Sequence, residues 1–458
     1  MLVTQPYDGG VIADISQDDA ASVEQKLERA ARCFADRPSW LPAYKRIEIL
    51  KRLARLVEGE FDDFALLIAR EGGKPLSDAR AEVARAINGI EIGASELEHL
   101  AGHEIPMGLT PASKDCWAFT TKEPIGVVVA ISAFNHPLNL IVHQVVPAIA
   151  TGCPVLIKPA MTTPLSCLRF VELVHEAGLS EPWCQAVIVE DVGLAERIAI
   201  DSRVAFLSFI GSAKVGWYLR SRLSPGTRCA LEHGGAAPVV IDRSADLDGL
   251  VEPLVKGGYY HAGQVCVSVQ RIFVHNDIKE GFVSRFTERV QRLRVGDPTL
   301  SETEVGPLIL PKEVKRVDDW VIEAVNGGGQ LMTGGEPVTS RIYRPTVIVD
   351  PPSTVHVSQE EVFGPVTCVY GYSDMGDAIA RANSLPACFQ ASIFARDIDA
   401  ALTVAKLLDA SAVMVNNHSA FRTDWMPFAG RRQSGLGIGG IPYTMRDMTQ
   451  DKMIVLKL

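Results

Sequence analysis

No run of apolar residues in this chain approaches the roughly 18 that a membrane-spanning helix needs. The opening Met1-Leu2-Val3-Thr4-Gln5-Pro6-Tyr7-Asp8 also lacks the basic-then-apolar order of an export leader. Disulfide and zinc patterns are missing too. The nine cysteines, at 33, 116, 153, 167, 184, 229, 266, 368 and 388, are odd in number and form no CxxC pair, so neither a disulfide framework nor a metal site is expected. Positive charge is in deficit. A net charge of −10 excludes a general binder of phosphate backbones, and nucleic acid is not an expected partner. These absences together set the expectation of a cytoplasmic protein with no membrane association.

What is present fits a globular protein of more than one domain. Apolar residues make up 47% of the 458, too many for a disordered chain, and the length exceeds what a single hydrophobic core usually supports. The first third reads as helical after a short strand pair. Val23, Leu27, Ala30, Ala31 and Phe34 recur at helical spacing, as do Ile47, Leu50, Leu53, Ala54 and Val57. Between 125 and 240 short apolar runs alternate with helical stretches. The spacing predicts strands at 126–131, 154–157, 186–189, 204–209 and 238–241, with helices at 138–150 and 163–177. Nearly continuous apolar strands separated by helices imply a parallel sheet covered on both faces, with a nucleotide site at the strands' carboxyl ends. A second α/β alternation follows from about 242 to 440, including a strand at 271–275 and a helix at 278–293. The last residues, 451–458, form an apolar strand with no neighbour in sequence to pair with.

Chemistry concentrates in three short segments. Cys266 stands in Gly263-Gln264-Val265-Cys266, after a helix-like stretch ending Tyr259-Tyr260-His261-Ala262. A lone cysteine is ordinarily a small buried hydrophobe, but a loop flanked by glycine is where nucleophiles are commonly held. Glu232 opens Glu232-His233-Gly234-Gly235 at the end of a strand, where a catalytic carboxylate is as natural as a surface charge. Asn135, in Ser132-Ala133-Phe134-Asn135-His136-Pro137, follows another strand; its amide suits an oxyanion donor, or simply a helix cap. A thiol, a base and an amide donor are what covalent chemistry on a carbonyl requires.

Taken in order, these segments resemble the aldehyde dehydrogenase superfamily nearly end to end. The resemblance rests on Phe134-Asn135-His136-Pro137, Lys158-Pro159-Ala160, Phe209-Ile210-Gly211-Ser212, Glu232-His233-Gly234-Gly235, Gly263-Gln264-Val265-Cys266, Glu360-Glu361-Val362-Phe363-Gly364-Pro365 and Pro427-Phe428-Ala429-Gly430 with Ser434-Gly435-Leu436-Gly437. It implies an α/β fold: a Rossmann-type cofactor domain at 1–105 and 125–236, a catalytic domain at 237–440, and a small β element for oligomerisation at 106–124 and 441–458. The expected partner is then a second copy of the chain, as a dimer or tetramer. It also implies Cys266 as nucleophile, Glu232 as general base, Asn135 as oxyanion donor, and NAD or NADP as cofactor. Lys158 would read the adenosine ribose, Gly211 and Ser212 would turn near the pyrophosphate, and Glu361 and Phe363 would position the nicotinamide. Phe134, Ala160, Met161 and Val215 complete the implied cofactor set.

Departures from the family pattern carry information. Met161 stands where many members place a glutamate after Lys-Pro-Ala, so the carboxylate that would repel a 2′-phosphate is absent. Ile438 and Gly439 replace a second acid that some members carry. The literal GxGxxG at Gly435 to Gly440 is set aside, since too little chain follows it for a crossover helix and a second strand.

The substrate signal is weaker. Ser419-Ala420-Phe421-Arg422-Thr423-Asp424-Trp425-Met426-Pro427 resembles the branch acting on lactaldehyde, glyceraldehyde-type and phosphonoacetaldehyde substrates. Arg422 suits a substrate anion, or an ion pair with Asp424 or another acid. His136 is a second substrate candidate. Val265 before the nucleophile, and no arginine near the end of the helix closing at His99, disfavour a doubly charged anion. A small hydroxyaldehyde or a singly charged semialdehyde oxidised to a free acid is expected. A coenzyme A-acylating relative has no need of Glu232, and a catalytically silent member has no need of the three segments together.

Overall fold

A computed structural model describes residues 1–458. Five strands of a six-stranded sheet run parallel, in the order Arg228–Glu232, Val204–Ile210, Val127–Ile131, Val155–Lys158 and Cys184–Ala186. Alternate residues of a strand face opposite sides, and the central strand shows how both are filled. Val128 and Ala130 join the core made by the helices Ala43–Gly59, Phe61–Gly72, Leu76–Glu96, Asn139–Thr151 and Leu165–Glu176. Val127 and Val129 face the helix Ala20–Ala35 and the shorter helices Val192–Ala199 and Ala213–Arg222. Both faces are covered, as the continuous apolar strands require.

Most expected elements are found within a residue or two of their sequence boundaries, with differences that have physical causes. The strand expected at 186–189 lies at Cys184–Ala186 instead. Beyond it the Ile188 amide donates to the Asp18 carboxylate, and the Ile188 carbonyl accepts from the Asp18 amide, so the N-terminal segment takes the bonds that a sheet neighbour would have used. Ala237–Ile241 belongs to a second, seven-stranded sheet, between Val269–His275 and Gln390–Phe394. Gly435–Leu436, from the discarded glycine motif, closes the first sheet as an antiparallel edge against Leu231 and Glu232. The terminal strand Thr449–Lys457 pairs along its whole length with Cys116–Pro124, which also pairs with Glu104–Ile105. That three-stranded sheet exposes Trp117, Met453, Ile454, Val455 and Leu456.

Candidate active site

The loop after Val127–Ile131, the end of Arg228–Glu232 and the turn before Val269–His275 meet at one cavity of about 680 Å³. The chain reaches Cys266 through three successive left-handed residues, His261 (φ 49°), Ala262 (φ 54°) and Gly263 (φ 70°). Two of these are not glycine, a local cost that packing must hold in place and a feature common at functional sites. At Gly263 a side chain would strike the Gly364 carbonyl at 2.2 Å, so that position admits only glycine. Cys266 then packs with Val265, Val267, Phe389 and Phe428. Burial raises its thiol well above the usual range, and the carboxyl groups of Glu232 and Glu361 push the same way against Arg422.

Asn135 does not cap the helix that follows it. Its Nδ2 donates to the Gln264 carbonyl at 2.9 Å, tying its loop to the cysteine turn. An amide nitrogen carries two hydrogens, so one donor remains for a ligand. The capping work falls to Glu82, whose Oε1 accepts from the Leu138 and Asn139 amides at 2.9 and 3.0 Å. Glu232 ends its strand at the cavity wall, its carboxyl pKa raised by burial.

The rest of the cavity wall mixes small residues with two phenylalanines and a charged group of Lys312, Glu313 and Arg316. Phe134, Ala160, Gly211, Ser212, Val215, Glu361 and Phe363 line it. Phe134 and Phe363 meet edge to face at 5.8 Å. Glu361 is folded against the Gly-Gly loop: the Gly235 amide donates to it at 3.2 Å, and a Cβ at Gly234 would collide with its carboxylate at 1.9 Å. Burial pushes this carboxyl up to about 8. Lys158 and Met161 are not on the cavity wall; Lys158 donates to the neighbouring Pro159 carbonyl at 3.4 Å.

A thiol, a carboxyl group and an amide donor thus line one cavity at strand carboxyl ends. The aldehyde dehydrogenase family profile fits residues 1–454. The chain belongs to that family. The 3-sulfolactaldehyde dehydrogenase of Priestia aryabhattai is 35% identical over 415 residues, covering 91% of this chain and 87% of the relative. Aldehyde dehydrogenase 21 of Physcomitrella patens, solved with its reaction product succinate, superposes with a TM-score of 0.96 at 34% identity, covering 100% of this chain and 95% of that one. The glyceraldehyde-3-phosphate dehydrogenase GapN of Methanocaldococcus jannaschii, complexed with NADP, gives 0.95 at 32%, covering 100% and 99%. The protein is an NAD(P)-dependent aldehyde dehydrogenase, and the fold expected from the resemblance is the fold observed.

In this aldehyde dehydrogenase the charges around the cysteine differ from the sequence expectation in one respect. An arginine does line the cavity: Arg85, from the middle of Leu76–Glu96 rather than from its end. Its guanidinium grips Asp424, with Nε at 3.2 Å and Nη2 at 2.8 Å. Asp424 also accepts from Asn139 Nδ2 at 3.1 Å and His143 Nε2 at 2.8 Å. Burial opposes its charge, but His143 and Arg85 outweigh burial and hold it well below the usual carboxylate range. Arg422 therefore has no ion pair with Asp424. It lies over the Phe428 ring at 3.5 Å, its Nη2 is 3.4 Å from His143 Nδ1, and its Nε is buried without a partner. Arg85 and Glu82 were legible only as charges at i and i+3 within an alanine-rich helix, a sign that one helix face meets polar company.

Proposed function

We propose that the protein oxidises a small polar aldehyde, either a hydroxyaldehyde or a singly charged semialdehyde, to the free acid through a thioester on Cys266. The observation carrying this reading is that Cys266, Glu232, Asn135 and Arg422 line one cavity, with Arg422 a buried cation beside the cysteine that has no carboxylate salt bridge. Arg85 is neutralised by Asp424, which supports one substrate charge rather than two.

The fit to a dinucleotide rests on the cleft's far end, where Gly211, Ser212 and Ala160 allow backbone to approach a ligand and Glu361 and Phe363 border the reacting half. When bound, NAD or NADP supplies the hydride acceptor. Cys266 gives up its proton to solvent water, and its sulfur bonds to the aldehyde carbon while the carbonyl electron pair moves to oxygen. That oxyanion takes hydrogen bonds from the free Asn135 N–H and the Cys266 amide. Loss of hydride from the carbon restores C=O and leaves a thioester. Glu232 then takes a proton from water, whose oxygen adds to the carbonyl carbon, and the carbon–sulfur bond breaks to release acid and thiolate. A raised carboxyl pKa suits Glu232 to this work, because a stronger base is available once it ionises.

A panel of aldehydes bearing a hydroxyl, a carboxylate or neither, assayed for acid formation with each cofactor, tests the reading. Preference for the bare alkyl aldehyde would contradict it. We further propose a dimer or tetramer built on the exposed face of Thr449–Lys457 and Cys116–Pro124. Deleting residues 451–458 is expected to give monomers or aggregates, and an unchanged sedimentation profile would contradict that assembly.

A further inference from the structure

Under the aldehyde end of the cavity lies a buried ion pair that the chemistry above does not use. Lys74 is fully buried, and its ammonium contacts Glu82 Oε2. The same ammonium is 2.5 Å from Nδ1 of His136 and 5.8 Å from the centre of the Tyr260 ring. Glu82 is anchored, because its other oxygen holds the two amides at the start of Asn139–Thr151. Burial works against the Glu82 charge, but Lys74 and His136 outweigh it and keep the carboxylate ionised.

These contacts decide where the imidazole proton sits. Burial lowers the Lys74 pKa, but the ionised Glu82 in direct contact and Asp78 nearby favour the ammonium, which has hydrogens to give and no lone pair to offer, so His136 Nδ1 accepts from it. Glu82 Oε2 is 3.5 Å from the same nitrogen, but a proton placed there would confront the ammonium 2.5 Å away. The ring as a whole is neutral, since burial and then the Lys74 charge push it down to about 4. Its one proton therefore resides on Nε2, which has no protein partner. The ring itself is held in place, stacked on Tyr260 at 5.8 Å and 27°, and it lines the same cavity as Cys266 and Asn135.

We infer that His136 is a fixed N–H donor to a substrate oxygen other than the aldehyde's, and that Lys74 is the positioning residue that sets its tautomer. This deepens the proposed function and rests on the cavity being the aldehyde site. The division of labour is chemical. Arg422 answers to substrate charge, whereas a neutral imidazole N–H rewards any oxygen acceptor, hydroxyl or carboxylate, and offers an alkyl chain nothing.

Two measurements test it. In the full-length protein labelled with ¹⁵N-histidine, the signals lost in His136→Phe identify the ring, which is expected to show a bare Nδ1 and a protonated Nε2 at neutral pH. The opposite tautomer or a doubly protonated ring would overturn the inference. In kinetics, His136→Phe is expected to lower the kcat/KM ratio of lactaldehyde over propionaldehyde, or of succinic semialdehyde over butyraldehyde, by about 10- to 100-fold, mostly through KM. Loss in the first pair assigns the acceptor as a hydroxyl and loss in the second as a carboxylate; both ratios unchanged would refute the donor role. Lys74→Met strands Glu82 in the core and can prevent folding, so Lys74→Arg, which keeps the donors, serves as the companion variant and is expected to retain the tautomer. Were the cavity not the aldehyde site, Cys266→Ser would leave turnover of all four aldehydes intact, an outcome distinct from unchanged ratios in His136→Phe.

Discussion

The two ends of the cavity are made of different material. At the aldehyde end nearly every functional side chain is fixed by a named partner: Asn135 by Gln264, Arg85 by Asp424, His136 by Lys74 and Tyr260. At the cofactor end the wall is largely glycine, alanine, serine and two edge-packed phenylalanines, with Glu361 hydrogen-bonded to Gly235 and a local ion pair between Arg316 and Glu313 beside it. One end is set by side-chain chemistry and the other by backbone shape. Single substitutions should therefore cost orders of magnitude at the first and small factors at the second.

The largest effect is expected at Cys266. Because the proposed mechanism runs every turnover through its sulfur, Cys266→Ser is expected to abolish oxidation while nucleotide binding, read by fluorescence titration, survives. Turnover near wild type would move the nucleophile to another of the nine cysteines.

Glu232 comes next, and its pH behaviour sharpens the comparison. Glu232→Gln is expected to form acyl-enzyme and one equivalent of reduced cofactor, then stall. Since burial raises its pKa above the ordinary 4.5, the acid limb of the wild-type rate profile should lie above the usual carboxylate range, with activity lost as pH falls through the raised value. Stability has the opposite sense. A carboxyl group raised in the folded state contributes most below its ordinary value and loses that contribution as pH rises through the folded one, so the melting temperature of the Gln variant should gain on wild type across that window. Parallel melting curves would show that Glu232 is not the buried titrating group.

Asn135→Ala removes one oxyanion donor, worth about 10² to 10³ in the rate of the chemical step. The tether to Gln264 goes with it, so single-turnover measurements at saturating substrate are needed to isolate the chemistry. An unchanged single-turnover rate would reduce Asn135 to that tether.

How much of this was legible in the sequence follows the same division. Backbone-determined features could be read directly, because apolar alternation and glycine spacing are local signals: apart from the strand expected at 186–189, the parallel strands, the helices and the loops carrying Asn135, Glu232 and Cys266 stand close to where periodicity put them. Partnerships between distant charges could not. Arg85 and Asp424 are 339 positions apart, so the sequence offered only Arg422, two residues from Asp424, as one possible partner for it. Lys74 gave no sign of lying under His136, since a buried lysine and an exposed one are spelled alike. The three-stranded sheet was half legible: the terminal strand announced itself by its apolar residues and the resemblance grouped it with 106–124, while the register against Cys116–Pro124 became definite only in three dimensions.

The smallest effect is expected at the cofactor end. Met161 stands where a ribose-binding carboxylate is common in the family, and Lys158 offers a cation to a 2′-phosphate. Yet neither residue lines the cavity, and burial lowers the pKa of the lysine. A charge placed there would act on the ribose through partly solvated space, where an ion pair or a repulsion is worth up to about 1 kcal/mol, or roughly fivefold in selectivity. Met161→Glu is therefore expected to shift the NADP to NAD ratio of kcat/KM toward NAD by about that factor. The shift should shrink in high salt, as screened charges do. A change of several orders of magnitude would mean that the cofactor end is governed by side chains after all, and the contrast between the two ends would fail. An unchanged ratio would mean that residue 161 does not face the ribose, and that the Lys158-Pro159-Ala160 loop has been matched to the family in the wrong register.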